Sequence, residues 1–436
     1  MENSGGIQAS LSGRYALALF ELARDNNQLD SVAQSLAALK SALSESAELR
    51  ALTTSPVIGR DAAAKAIAAV AEKMGLDALT QKFLGVLAQG RRLSQLSAAI
   101  RAFENDPAGT TAYGTSVGYV PLRRWLAEKH GVDEDQVLVT NGSMQADAFL
   151  FETLVQPGDA VIVEKPTYDR TLLNLRARGA DIHAVELETD GISTDALEQL
   201  LHSGVRPTLA HIIPNFQNPA GYTLSAAKRT RLVELAAEFG FVLFEDDPYI
   251  DIRFSGEPLP TMLEQDTSGQ VIYASSFSKT VCPGIRVGYL VGPKERIADI
   301  QKLATNTYIS PNMVAQSIVY EFCSSGAMSG AVETVKTALA KRVARLTAAL
   351  ERDLPQAKFQ APEGGYFMWV ELPEGTDIDK VFAAANERGV AIVKGTDFLL
   401  EGGKNTLRLA YSGVTEDQID EGVSRLADAV TAAANG

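Results

Sequence analysis

Apolar residues in the first quarter of the chain fall at intervals of three and four. Between Leu11 and about Phe103 they include Tyr15, Ala16, Ala18, Leu19, Leu22 and Ala23, then Val32, Leu36, Leu39 and Leu43, then Ala63, Ala66, Ile67, Val70 and Ala71. This is the spacing of one buried helix face, and strand-like alternation is almost missing. Ser55-Pro56, Gly75 and Gly90 punctuate the segments. The stretch predicts a compact bundle of about five or six helices in which no acid, base or metal cluster converges.

The pattern changes near Glu104. Asn105, Asp106, Pro107, Gly109 and Thr110 form a loop-like cluster, and beyond it short apolar runs alternate with helical stretches. The runs are 137–140, 160–163, 209–213, 241–244, 271–274 and 287–291. Such alternation predicts an α/β fold, with parallel strands and helices on both faces of the sheet. Three parts are expected: an all-α bundle over residues 1–103, a large α/β domain over 104–334 and a smaller C-terminal α+β domain over 335–436. Ligands of such sheets gather beyond the carboxyl ends of the strands. The residues that follow each run are therefore the ones to read for chemistry.

The 436 residues carry a formal charge of −14 and are 46% apolar, ordinary for a globular chain with a large core. The acidic excess speaks against a nucleic-acid surface or an anionic-membrane face, both of which need clustered Lys and Arg. Cys282 and Cys323 cannot form a disulfide framework, and the N-terminal MENSGGIQAS lacks a basic and then apolar leader. A reducing, cytoplasmic setting without membrane insertion is expected. His130, His183, His202 and His211 show no paired ligand spacing. No metal is expected, and each reads as a satisfied surface or core histidine.

Residues 271–288, VIYASSFSKTVCPGIRVG, hold the densest chemistry. A strand-like run leads through Ser275-Ser276-Phe277-Ser278 to Lys279, and Arg286 can return a positive charge to the same place. A lysine becomes a nucleophile where burial or a neighbouring cation lowers its pKa, and with an aldehyde it forms a Schiff base. Hydroxyls with an arginine suit a phosphate. An amine beside a phosphate site matches pyridoxal 5'-phosphate; a solvated serine-rich turn is the plain alternative.

Other run ends add candidates. In NGSMQA, Gly142 and Ser143 open a helix whose free N–H groups make an anion site, unless Ser143 is a simple cap. Tyr168 either stacks on a heteroaromatic ring or only packs. Prolines fix the backbone around Asn218 in PNFQNPAG, or mark an ordinary turn. Asp246 in FEDDPY is costly to bury unless a cation such as a protonated pyridine meets it, with Tyr249 in reach of the ring hydroxyl; a capping aspartate is the bland alternative.

Together, YGTSVGYVPLR, NGSMQA, PNFQNPAG, FEDDPY, SFSK, PGIRVGY, EGGYFMWVEL and NTLRLAYS resemble the fold-type I pyridoxal-phosphate aminotransferases. The likeness runs from about residue 108 to 429 and is greatest to the branch of 2-aminoadipate aminotransferases, kynurenine aminotransferase II and MocR-type effector domains. It implies a homodimer that moves an amino group from an amino acid to a 2-oxo acid, such as 2-oxoglutarate, by a ping-pong route. It implies that Lys279 forms the Schiff base and shuttles a proton, and that Asp246 keeps the pyridine nitrogen protonated. Asn218 and Tyr249 would bond the ring hydroxyl while Tyr168 stacks on the ring. Ser143, Met144, Gln145, Ser276, Ser278 and Arg286 would surround the phosphate, joined by Tyr113 from the neighbouring subunit. Arg408, assisted by Asn218, would take the substrate carboxylate. Lys394 in VKGTDF lacks a serine turn and reads as solvated.

Residues 7–103 carry a second resemblance. SGRYALALFELARDNNQLDSVAQSL, SPVIGRDAAAKAIAAV and FLGVLAQGRRLSQL are similar, in that order, to the N-terminal domain of the ATP synthase delta subunit, the oligomycin-sensitivity-conferring protein family. In that family the bundle grips the N-terminal helices of the alpha subunits. An alpha-subunit peptide and a place at the membrane edge through ATP synthase are thereby implied. In this fusion the bundle stands where aminotransferases carry a segment that closes over the substrate. The competing expectation is an interaction module attached to an inert transaminase half.

Overall fold

The computed structural model describes residues 113–435 continuously and, before them, residues 28–54 and 58–89 with the single positions 19, 23, 93, 96 and 100. Four helices are described in the N-terminal part: α1 (Leu29–Glu45), α2 (Ala47–Thr54), α3 (Arg60–Lys73) and α4 (Ala78–Gln89). Val32, Leu36, Leu39 and Leu43 of α1 meet Ala63, Ile67 and Ala71 of α3 and Phe83, Leu84 and Leu87 of α4 in one core. Leu19, Ala23, Leu93, Leu96 and Ile100 are buried in the same core, which takes no described residue from beyond position 100. The bundle is thus closed on itself. Tyr15, Ala16, Ala18 and Leu22 lie outside the described residues. After α3 the chain turns at Gly75 (φ 65°), and Asp77 Oδ1 accepts the N–H groups of Leu79 and Thr80 at 2.8 and 3.0 Å to start α4.

Past α5 (Val120–His130) the chain winds an eight-stranded sheet: β1 (Val137–Thr140), β2 (Ala160–Lys165), β3 (Asp181–Glu188), β4 (Gly191–Ile192), β5 (Pro207–Ile212), β6 (Val242–Asp246), β7 (Val271–Ser276) and β8 (Gly288–Val291). The spatial order is β1-β8-β7-β6-β5-β2-β3-β4. The run β3-β2-β5-β6-β7 is parallel. The helices α6 (Ser143–Leu154), α7 (Asp169–Ala177), α8 (Thr194–His202) and α9 (Ala226–Phe239) lie between successive strands and supply the crossovers. Alternation sends neighbouring residues to opposite faces: Val139 packs with Leu122 and Leu126 of α5, whereas Leu138 packs with Ala146, Phe149 and Leu150 of α6.

Two features differ from the sequence pattern. Strand β8 runs antiparallel to both β7 and β1, because the link from Ser276 to Gly288 contains no helical crossover to carry the chain back to the starting end. Strands β3 and β4 have no counterpart among the apolar runs, since β3 lies near the sheet edge and intersperses Asp181, His183, Glu186 and Glu188 among its apolar positions.

Beyond α10 (Met262–Gln265), α11 (Lys294–Tyr308) and α12 (Met313–Ser324), the long helix α13 (Ala327–Asp353) passes residue 335 without a break. The domain boundary expected there falls inside a helix. From Leu339 onward α13 packs with α14 (Ile378–Glu387), α15 (Glu416–Asn435) and a four-stranded sheet of order β11-β12-β10-β9. Its strands are β9 (Lys358–Phe359), β10 (Phe367–Glu371), β11 (Val393–Lys394) and β12 (Thr406–Ala410). The core of this unit also takes Phe216, Tyr249 and Ile252 from the loops after β5 and β6. No helix among the described residues is long and apolar enough to cross a membrane.

One buried cation fixes the loop that leaves β5. Arg229 on α9 is fully buried; its Nε donates to the Leu224 carbonyl (3.0 Å), Nη1 to that of Pro260 (3.2 Å), and Nη2 to the Pro214 carbonyl (3.2 Å) and Asn215 Oδ1 (2.8 Å). It lies 3.9 Å from the equally buried Glu245. Arg229→Met would strand those acceptors and leave Glu245 without its cation. The expected loss of stability is about 3–5 kcal/mol, checked by urea unfolding of the full chain.

Candidate active site at the strand ends

The turn after β7 is closed by two backbone bonds, Phe277 N–H to the Val287 carbonyl (3.0 Å) and Val281 N–H to the Phe277 carbonyl (2.9 Å). Lys279 leaves it toward the rings of Tyr366 and Tyr249, whose centroids lie 5.1 and 5.5 Å from Nζ. The Tyr366 hydroxyl donates to the Lys279 carbonyl at 3.3 Å. Burial lowers the lysine pKa, the Arg286 charge lowers it further, and Asp246 opposes both. This is the setting that makes an amine nucleophilic.

Asp246 ends β6 and is buried. Its Oδ2 lies 3.4 Å from His211 Nε2, while Oδ1 is buried without a hydrogen-bond partner. A buried acceptor left open is expensive unless a donor arrives. Tyr249 is buried beside it, in edge contact with Tyr366 (5.7 Å) and Phe367 (6.1 Å); burial first, then the Asp246 charge, pushes its phenol up. Tyr168 stands at the start of α7, and its phenol is pushed up to about 12 by burial, with Asp169 and Asp246 adding to the effect.

Two residues here escape a reading of the sequence alone. His211 lies in the core but is not the satisfied histidine expected: it stands directly behind Asp246 with both ring nitrogens unpartnered. Only the strand register reveals this: His211 sits opposite Phe244, and Asp246 follows on the same face. Asp147 on α6 is likewise buried with Oδ1 unpartnered, and burial, reinforced by Asp246, holds its pKa well above the usual carboxylate range.

An anion corner forms where α6 starts. Gly142, at φ 90°, precedes the helix, and a Cβ there would lie 2.1 Å from Arg286 Nη2. Only glycine lets the guanidinium come so near. Arg286 Nη1 donates to Ser278 Oγ (3.1 Å), and Ser276 Oγ donates to Ser278 Oγ (3.0 Å). Gly288 brings β8 so close that a Cβ would fall 2.5 Å from the Ser143 nitrogen. Ser276, Ser278 and Arg286 therefore converge at a helix start where the N–H groups of Ser143 and Met144 point out of the helix. Gln145 behaves differently from its neighbours: its side-chain carbonyl accepts the Asn141 N–H (2.9 Å) and its own N–H donates to the Gly142 carbonyl (3.1 Å), so it serves the turn itself.

A second anion corner forms on the small sheet. Arg408 on β12 is held between Phe367 and Phe398, with ring centroids 4.1 and 4.8 Å from its Cζ. Nη1 donates to Asn218 Oδ1 at 2.8 Å, and Nε is buried with no acceptor. Asn218 and Arg408 are thus brought together, as the sequence resemblance implies. Lys394 instead pairs with Asp379 at 2.7 Å. Tyr113 stands at the surface, 53% exposed.

Known proteins share this arrangement of elements. The family described as "Aminotransferase class I and II" matches residues 85–426. The family described as "ATP synthase delta (OSCP) subunit" matches residues 11–108, so the two overlap across the boundary expected at 103. Aromatic-amino-acid aminotransferase 1 of Thermococcus litoralis is 33% identical over 75% of this chain and 81% of its own. The 2-aminoadipate transaminase of Thermus thermophilus is 34% identical over 76% and 85%. Among solved structures, the Thermus thermophilus alpha-aminoadipate aminotransferase complexed with N-(5'-phosphopyridoxyl)-L-leucine superposes with a TM-score of 0.75 at 33% identity, covering 78% of this chain and 88% of that one.

The residues present fit pyridoxal phosphate. The open Asp246 Oδ1 would accept from a protonated ring nitrogen, the corner at Gly142 and Arg286 would take the phosphate, and Lys279 would meet the aldehyde. Gly142→Ala drives a methyl into Arg286. Pyridoxal phosphate, titrated by absorbance, is expected to bind this variant roughly 10- to 100-fold more weakly, the worth of about one hydrogen bond to a charged group. Unchanged affinity would remove Arg286 from the phosphate corner.

Proposed function

The chain belongs to the class I and II aminotransferase family, and on that premise we propose that it passes the amino group of an aromatic or 2-aminoadipate-like amino acid to a 2-oxo acid, 2-oxoglutarate among them, in ping-pong fashion. Its cofactor is pyridoxal phosphate, which when bound supplies an aldehyde for the amine and a ring that draws electrons from the substrate α-carbon. One observation carries the reading. Strands β6 and β7 are paired neighbours, so a carboxylate with an open oxygen and a half-buried lysine of lowered pKa leave the sheet side by side.

In this reading Lys279 would hold the cofactor aldehyde, and its Nζ would then carry the proton between the substrate α-carbon and the cofactor carbon C4′, which lies on the far side of the amino nitrogen. Asp246 Oδ1 keeps the ring nitrogen protonated, and His211 stands behind the other oxygen. Tyr168 would cover the ring face, while Asn218 and Tyr249 would bond the ring hydroxyl. Arg408 offers its open Nε and a terminal nitrogen to the substrate carboxylate as a planar fork. Phe367 and Phe398 beside it favour an apolar or aromatic substrate side chain. Tyr113, exposed on its own subunit, reaches the phosphate corner of a second copy in a homodimer. The division at residues 103 and 334 and a cytoplasmic setting belong to the same proposal.

The self-contained N-terminal core supports a second role beside catalysis. The bundle would hold an N-terminal peptide of an ATP synthase alpha subunit and so bring the enzyme to the membrane edge. Titrating such a peptide into the full chain is expected to release or absorb heat; a flat calorimetric trace removes this role.

Adding pyridoxal phosphate to the protein is expected to give an absorbance band that is lost in Lys279→Ala, and no band in the parent would refute cofactor binding. Initial rates across a panel of donors and 2-oxo acids should give parallel double-reciprocal lines. Intersecting lines would exclude the ping-pong order.

A further inference from the structure

Glu164, near the end of β2, is buried, and its hydrogen bonds go to Ile213 and Gln217, neither of them assigned so far to substrate or cofactor. Its Oε2 accepts the Ile213 N–H (3.2 Å) and Gln217 Nε2 (2.9 Å). The same Nε2 also donates to the Pro166 carbonyl (2.8 Å), and Gln217 Oε1 accepts the Ala220 N–H (2.9 Å). In the backbone, Gln217 N–H donates to the Tyr222 carbonyl (2.9 Å) and Gly221 N–H to the Gln217 carbonyl (2.6 Å). One carboxyl and one amide thus tie together three pieces of chain: the end of β5, the loop that carries Asn218, and the turn from Pro166 to Tyr168.

That loop needs outside support. Phe216, immediately before Gln217, sits at φ 50°, a left-handed conformation that non-glycine residues avoid. Asn218, immediately after it, is the residue that receives Arg408 Nη1 at 2.8 Å. Burial pushes the Glu164 carboxyl up to about 8 while the bonds from Gln217 and Ile213 pull the other way, so near neutrality it serves mainly as an uncharged acceptor.

We infer that Glu164 and Gln217 are positioning residues for the reaction: a clamp that holds Asn218, and through it Arg408, in the orientation that receives the substrate carboxylate. The inference rests on the reading of Arg408 as the carboxylate-binding residue. The clamp works through acceptor geometry, so an amide at position 164 should do what the carboxyl does.

The test uses the full chain loaded with pyridoxal phosphate. In Glu164→Ala and in Gln217→Ala, KM for an aromatic amino donor is expected to rise roughly 10- to 100-fold with kcat changed far less, since a loosened guanidinium loses about one charge-assisted hydrogen bond. The dissociation constant of 3-phenylpropionate, an unreactive aromatic carboxylate read from the shift of the cofactor band, should rise in parallel. Glu164→Gln should restore both constants. Should Glu164→Ala fail to fold, Gln217→Ala and Glu164→Gln decide the matter alone. Arg408→Lys separates the two levels. If it leaves 3-phenylpropionate binding unchanged, the carboxylate reading itself is wrong. If it weakens binding but Gln217→Ala does not, the clamp is wrong, and it is equally wrong if Glu164→Gln loses affinity as an alanine does.

Discussion

The site depends on the register between β6 and β7. Asp246 lies opposite Ala274 in that parallel pair, and Lys279 follows in the turn after the second strand. A slip of one residue would turn every side chain of a strand to the other face. The carboxyl would then be buried among the apolar residues beneath the sheet, and the amine would face nothing that offsets its desolvation. The register is held by the unbroken burial of both strands. At the ends of those strands, open polar atoms such as Asp246 Oδ1 and Arg408 Nε are tolerated because the surrounding structure is fixed without them. Arg229 fastens the floor of the Asn218 loop, and Phe216 and Tyr249 lend their rings to the core of the smaller domain.

Much of this can be read in the sequence because each candidate follows an apolar run, and apolar runs locate strands well. Lys279, Asp246, Asn218 and Tyr168 all come from strand ends, and the sheet brings those ends together. What escapes is whatever depends on faces and on distant partners. His211 and Asp147 lie inside a strand and a helix whose apolar neighbours hide them, and only pairing shows that both bear on Asp246. The β3 and β4 strands are missed because near a sheet edge polar residues are tolerated and the apolar signal thins. The bond that Gln145 Oε1 accepts from the Asn141 N–H is one that no spacing rule announces.

The join between the two halves shows a related limit. Both family matches include residues 85–108. Leu93, Leu96 and Ile100 are nevertheless buried with α1, α3 and α4, so these positions are committed to the bundle core. A helical pattern reports that a face is covered without saying by which partner. The break expected at residue 335 illustrates the same point, since α13 runs through it and changes its neighbours along its length.

Two walls of the anion corner are bare main chain, at Gly142 and Gly288, where even a methyl group would collide with Arg286 or with the start of α6. No substitution at those walls can enlarge the cavity, because every available residue is bulkier than the one present. The dimensions of this corner are therefore fixed from below, and any drift toward a new substrate must be accommodated elsewhere, as around Phe367 and Phe398, where side chains remain to be trimmed.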